Sequence, residues 1–243
     1  MLRFLINFVI LIFISQCVGQ TTINYNKYTF SIDNANPGQF GYENFEMDED
    51  IAPKSIILKD TVAYIIDTYH SSIKKVNTNS GKIEASIKLS PKNIWLRDII
   101  TFMDKLIVSS DLDTLYILDY NLKLIKCLYT EKDDKYFFKR DNSVNIYFNN
   151  KNQICEIDSL YEIKKCVDNS YEPFNSAHGK EYVLINSDSS SFVKTPYFKI
   201  KLHEIYPKLY KEFNAINLDY DESQFCYYDV NERVLTLYIY KVN

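Results

Sequence analysis

Short apolar runs recur along the chain, and most of them end at Asp, Asn or Ser. Five blocks stand out: residues 61–67 (TVAYIID), 105–111 (KLIVSSD), 144–150 (VNIYFNN), 181–188 (EYVLINSD) and 224–230 (QFCYYDV). Matching positions Val62, Lys105, Val144, Tyr182 and Phe225 are spaced 43, 39, 38 and 43 residues apart. Runs this short, rich in β-branched and aromatic residues and bounded by polar turn formers, predict strands joined by tight turns. The stretch 94–129 shows one whole unit. It reads as a strand over 94–102 stopped by Asp104, a strand over 105–109, and a turn at Asp111-Leu112-Asp113. A third strand follows over 114–118, then a turn at Asp119-Tyr120-Asn121 and a fourth strand over 124–129.

Four short strands repeating about every 40 residues predict an all-β, β-propeller-like fold of about five four-stranded blades. The repeat is visible in detail. Residues 118–127 (LDYNLKLIKC) align without gaps on 157–166 (IDSLYEIKKC), and 76–83 (VNTNSGKI) is an earlier copy with a turn one residue longer. In each copy a strand ends at a polar turn residue and a Lys-containing, solvated strand returns. These segments resemble the third and fourth strands of NHL- and YVTN-type propeller blades of secreted bacterial proteins, over roughly residues 54–168. That resemblance implies a binding platform more often than an enzyme.

Beyond 168 the pattern predicts strands over 181–186 and 192–202, then a short helix over 207–213 with Pro207 in its first turn. The last unit is a hairpin of 225–229 and 234–242 around Asn231-Glu232. Residues 22–32 alternate like a strand and are expected to pair with that hairpin. Joining the chain ends in one blade would close the ring and hide its sheet edges. An open or incomplete stack of β-repeats and a twisted β-sandwich are the alternative architectures. With only 5 glycines in the chain, Asn and Asp are expected to fill the turn positions that need positive φ.

The N-terminus bears on location. Met1-Leu2-Arg3 is a short basic region, residues 4–14 are apolar except for Asn7, and the sequence turns polar through Ser15 to Gln20. This reads as a secretory signal peptide over 1–19, followed by a single propeller-like domain over 20–243. Cys17 and Gly19 suit ordinary cleavage before Gln20. Ile14-Ser15-Gln16-Cys17 also resembles a bacterial lipoprotein box, with Gln16 where a small residue belongs, which would leave a lipidated Cys17. No other segment has the length of apolar sequence that a membrane helix needs. The expected location is therefore secreted, or periplasmic and envelope-associated. A formal net charge of −4, with Lys and Arg interleaved among acids, argues against a nucleic-acid partner.

Four cysteines remain after such cleavage. Cys155 and Cys166 fall on consecutive strands of one predicted hairpin, so a disulfide there would close a short loop and contribute about 2–3 kcal/mol. Cys127 and Cys226 lie on separate units. The histidines, His70, His178 and His203, are far apart. An Asp67–His70 acid–base pair is one reading of the turn after the first block, and a solvated loop histidine is the ordinary one. Asn217-Leu218-Asp219-Tyr220-Asp221-Glu222-Ser223 places oxygens at alternate positions, as a calcium loop would. It lacks the turn glycine of such loops and reads as an exposed turn. Ser109, Asp111 and Tyr116 match part of the Asp-box of sialidase propellers, a structural element.

Gly-rich phosphate loops, GxSxG and HExxH are absent, so no catalytic residue, metal or cofactor is assigned. The expected function is a non-catalytic binding or scaffold protein that presents a loop face to a protein partner. Tyr69, His70, Trp95, Arg97, Asp98 and Tyr171 are the candidate residues of that face. A glycan-binding module, with Tyr69, Trp95 and Tyr171 stacking on sugars, is the alternative. A propeller hydrolase or lyase is the third reading, and it needs acids and a His to converge near Arg97 and Asp98.

Overall fold

The computed structural model describes residues 23–44, 51–90, 94–131, 133, 135–140, 143–148, 151–168, 183–187, 190–197, 199–201, 218–230 and 232–242. The signal segment with Cys17, then Tyr171, His178, His203 and the expected helix over 207–213, lie outside these residues. Among the described residues every regular element is a strand.

After β1 (Ile23–Ser31), the chain builds antiparallel sheets in sequence order. Blade one is β2 (Pro53–Lys59), β3 (Val62–Asp67), β4 (Ser72–Asn77) and β5 (Ile83–Lys88). Blade two is β6 (Leu96–Phe102), β7 (Lys105–Ser110), β8 (Thr114–Leu118) and β9 (Leu124–Tyr129). Blade three is β10 (Lys135–Arg140), β11 (Ser143–Phe148), β12 (Gln153–Ile157) and β13 (Ile163–Asp168). The fourth sheet has three described strands, β14 (Val183–Ser187), β15 (Ser190–Lys194) and β16 (Lys199–Lys201). Blade five is β17 (Leu218–Tyr220), β18 (Gln224–Val230), β19 (Val234–Val242) and, as its outer strand, β1.

The pairing of the chain ends is as the alternation at 22–32 implied. β1 runs antiparallel to β19 from Ile23 opposite Val242 to Ser31 opposite Val234, without a slip. Blade five then meets blade one where the Leu58 amide of β2 donates 2.7 Å to Asp219 of β17. Tyr28 of β1 also donates 2.7 Å to the Asn79 carbonyl in the β4–β5 turn. The ring of Tyr28 lies over Gly81, where a Cβ would stand 2.0 Å from it and φ is +65°, so only glycine suits that turn.

Two mistaken expectations concern this half of the chain. The strand expected over 192–202 is interrupted between Lys194 and Lys199, at Thr195-Pro196-Tyr197. Proline has no amide to give a ladder and fixes its own φ, which breaks the strand there. The expected exposed turn over 217–223 instead contains β17, whose three residues are buried. A strand this short with an Asp at its centre has the composition of a turn, and its burial comes from neighbouring blades.

The apolar runs have a simple cause. Inner strands are covered on both faces, so each face feeds a different seam. In β3, Ala63 and Ile65 pack with Leu237 and Ile239 of blade five, whereas Tyr64 and Ile66 pack with Leu106 and Val108 of blade two. Blade two in turn gives Ile100, Ile107 and Leu115 to the seam with Phe137, Ile146 and Cys155. The outer strand β5 alternates between partly buried and exposed positions. Full burial of an aliphatic side chain is worth about 1.5–3 kcal/mol, so the seams carry most of the stability. The tyrosines also fill sheets: Tyr227 and Tyr238 stack with centroids 4.7 Å apart, and Tyr197 meets Tyr220 edge-on at 6.3 Å across the fourth and fifth sheets.

The gap-free internal alignment becomes one turn built twice. Asp119 Oδ1 accepts the amides of Asn121 and Lys123 at 2.9 and 2.8 Å. Asp158 Oδ1 accepts those of Leu160 and Glu162 at the same two distances. In blade one Asn77 plays this part with the longer turn, accepting from Asn79 and Ser80. The positive φ, however, falls on Leu122 (64°) and Tyr161 (58°) rather than on the acid. Met103 and Ser71 also take positive φ, as do Asp60 and Asn152. Asn and Asp thus supply such positions at Asp60 and Asn152 as expected, but not in the repeated turn, where the side-chain hydrogen bonds of Asp119 and Asp158 fix the turn first. The residue three positions on then accepts a left-handed backbone at a cost of about 1–2 kcal/mol, and Leu122 offsets this by burying its side chain.

Candidate functional site

In each meander the start of the innermost strand and the link between second and third strands lie at the same end. That end gathers five of the six candidate residues, and Tyr171 lies outside the described set. Tyr69 and His70 sit in the β3–β4 link, Trp95 just before β6, and Arg97 and Asp98 in its first turn of pleat. Side-chain bonds join the two groups. Thr68 donates 2.9 Å to the Leu96 carbonyl, and Ser71 donates 2.7 Å to the Ile94 carbonyl while accepting the Ile94 amide at 3.0 Å. The β3–β4 link thus grips the backbone on both sides of Trp95.

Trp95 is held from the other side by Asp111. Its amide donates 3.1 Å to the Asp111 carboxylate, and its carbonyl accepts the Asp111 amide at 2.9 Å. The Arg97 guanidinium lies 5.2 Å from the Trp95 ring centre, a cation–π distance. Both side chains, with Tyr69, are partly exposed. Tyr69 rests directly on the Gly41 backbone, where a Cβ would come within 2.4 Å of its ring.

His70 is not a solvated loop residue; it is 8% exposed. Its Nδ1 lies 2.8 Å from Asp67 Oδ2 and its Nε2 lies 3.3 Å from the Asn34 carbonyl. The imidazolium form donates to both acceptors, and the neutral ring to one. Asp67 Oδ2 also lies 3.4 Å from the ammonium of Lys74, which donates to the Pro37 carbonyl and, at 3.3 Å, to Ser86. Burial pushes the Lys74 pKa below its ordinary value, with the neighbouring Asp67 opposing that shift. The cluster ties the loop 33–41, which follows β1, to blade one. Sequence reading missed Lys74 because Lys74-Lys75 looks like an exposed pair; β4 is buried at Ser72, Ile73, Lys74 and Val76, a run whose apolar residues do not alternate, so no local signal marked Lys74.

Asp98 is fully buried. Its Oδ1 accepts from Ser55 at 2.7 Å and from the Ile99 amide at 2.8 Å, and its Oδ2 accepts the Phe137 amide at 2.8 Å. The carboxylate therefore links the inner strands of blades one, two and three. Asp219 serves the seam between blades five and one in the same way, through Leu58. Ser109, of the partial Asp-box, accepts the Asp98 amide at 3.1 Å and donates 2.8 Å to the Lys135 carbonyl. Lys135, also missed, is fully buried and donates to the Ser110, Leu112 and Asp133 carbonyls. Among the described residues no three His, Cys, Asp or Glu side chains gather as metal ligands.

Cys155 and Cys166 face each other in the β12–β13 register and are joined by a disulfide, while Cys127 and Cys226 are free thiols.

No protein-family model matches the chain, and no curated protein matches it in sequence. Solved structures with some likeness include an inactive virginiamycin B lyase from Staphylococcus aureus with quinupristin, at TM-score 0.46 and 13% identity, covering 76% of this chain and 61% of that one. The Pan2 WD40 domain of Neurospora crassa has TM-score 0.41 and 15% identity, covering 72% and 55%. The computationally designed protein Ika4 has TM-score 0.41 and 10% identity, covering 65% and 94%. The chain thus spans less than two thirds of the lyase and of the WD40 structure. The propeller-like architecture stands on the sheet order and strand register of this chain itself.

Proposed function

We propose that this chain is an exported, non-catalytic binding protein that holds a protein partner on the face carrying Tyr69, Trp95 and Arg97. The observation that carries this reading is the Trp95–Arg97 pair. A partly exposed tryptophan is fixed through its backbone by Asp111, Thr68 and Ser71 and capped by a guanidinium. Trp, Tyr and Arg are the side chains that most often dominate protein contacts, and a preorganised anchor loses little entropy on binding. The adjacent ionisable groups support the same reading. Asp98 spends its oxygens on Ser55 and two amides, and the His70 ring is buried with its nitrogens facing Asp67 and the Asn34 carbonyl.

The test compares capture from the source envelope and medium by the chain beginning at Gln20 and by its Trp95→Ala form. One protein held in stoichiometric amount by the first and lost by the second supports the proposal. Equal capture by both overturns the assignment of this face. The aromatic pair Tyr69 and Trp95 keeps glycan binding as the second reading. Retention of a soluble glycan that Tyr69→Ala abolishes, with no protein captured, would establish it instead.

A further inference from the structure

A cavity of about 280 Å³ opens between blades two and three, and none of its lining residues belongs to the Tyr69–Trp95–Arg97 face. Tyr129 and Thr130 at the end of β9 form one side, Phe148 and Gln153 the other, and the Cys155–Cys166 disulfide lines it as well. Glu131 and Lys151, which also line it, form an ion pair that spans the two blades. Tyr129 is 81% exposed, so that side is open to solvent.

The two sulfurs are unequal. Cys155 is fully buried on β12, whereas Cys166 is exposed on β13. Among the described residues β13 is the last strand of its sheet and pairs with β12 alone, across a bulge between Cys155 and Ile157. Its neighbour Val167 is exposed as well. Where one sulfur is shielded and the other accessible, a thiolate attacks the accessible one.

We infer that this cavity is a thiol-exchange site, taking a small, uncharged organic thiol and using the Cys155–Cys166 disulfide as the reacting group. The thiolate of the ligand attacks Sγ of Cys166. A mixed disulfide forms there, the Cys155–Cys166 bond breaks, and the Cys155 sulfur leaves as a thiolate that takes a proton from water. A second ligand thiolate attacks the ligand sulfur of the mixed disulfide, releasing the ligand disulfide and the Cys166 thiolate, which takes a proton from water. Two ligand thiols are oxidised and the protein disulfide is reduced. β13 is then held by its backbone bonds to β12 without the covalent tie.

The experiment exposes the folded chain beginning at Gln20 to 2-mercaptoethanol at neutral pH, in a Cys127→Ser background that removes the partly buried free thiol. The reaction is stopped with acid, alkylated and mapped by peptide mass. The expected first product carries mercaptoethanol on Cys166 and an alkylated Cys155. Thr130→Trp, which places a large ring at the cavity wall, is expected to slow this step about tenfold. In urea the two proteins should react at equal rates, which separates blocked access from altered chemistry. An adduct on Cys155, an unchanged rate in the folded Thr130→Trp protein, or reaction only in urea each overturns the proposal.

Discussion

Two buried carboxylates at the same end of the propeller are stabilised in different ways. Asp67 Oδ2 lies against the His70 ring and the Lys74 ammonium, while Oδ1 accepts the Gly41 and His70 amides only at 3.4 Å. Its short contact is thus to an ionisable partner, and it fastens a loop to one blade. Asp98 accepts a hydroxyl and two amides from three inner strands, so it is held by fixed dipoles and fastens blades to one another. Those donors are fixed in place by the strands, so exchanging the carboxylate for an amide mismatches one of them without stranding a charge. A buried cation does not share that tolerance. Removing its partner leaves a charge with neither water nor counter-ion, which is the costlier defect. The rim cluster should therefore be the more fragile of the two.

Asp67→Asn is the largest expected effect. It strips Lys74 of its carboxylate and should cost about 3–5 kcal/mol, read as a lowered urea midpoint with an unchanged slope. The comparison sharpens when Lys74 is removed as well. Asp67→Asn with Lys74→Met exchanges the ion pair for two neutral side chains of similar size and should recover most of that loss, to within about 1 kcal/mol of the parent. A double variant as unstable as the single one would show that the loop contacts to Pro37 and Asn34, and not the buried charge, set the cost.

Asp98→Asn comes next. The amide keeps one acceptor but turns a donor toward either Phe137 or Ser55, leaving a buried polar group unmatched, at a cost of about 1–3 kcal/mol. Asp219→Asn should fall in the same range, since it serves Leu58 alike. A loss at Asp98 larger than that at Asp67 would reverse the argument.

The contrast also shows how far the sequence could be read. The second and third blades were legible because each seam needs apolar residues on both faces of an inner strand, and each outer turn needs an acceptor at one place. Asp119 and Asp158 stand at matching positions of the two aligned segments and accept matching pairs of amides. The joining of the chain ends was legible for the same reason: alternation at 22–32 matches a strand covered on one face. β17 was not legible. Its Asp219 is polar by composition and buried by its neighbours, and nothing local distinguishes it from the turn acid Asp221. The site divides along the same line. Trp95 and Arg97 were found by residue type, whereas the roles of Asp98, Lys74 and Ser55 depend on partners between 7 and 43 residues away, which pattern alone does not supply.

A third polar link, uncharged at neutral pH, separates charge from burial. The Tyr64 hydroxyl of blade one donates 2.7 Å to the Tyr120 carbonyl of blade two. Burial, aided by the neighbouring Tyr120 and Asp119, pushes the Tyr64 pKa from 10.0 up to about 12. The folded protein therefore holds a proton that the unfolded chain releases above pH 10. The stabilisation is complete below pH 10 and is lost as pH rises toward 12. Urea midpoints at pH 9 and pH 11 should fall further for the parent than for Tyr64→Phe, which has no phenol to ionise there. Other buried tyrosines, Tyr228 among them, will tilt both proteins, so the difference between the two slopes is the quantity to read. Equal slopes would mean that the Tyr64 proton leaves as readily in the folded blade as in water, and that the seam around it is wet.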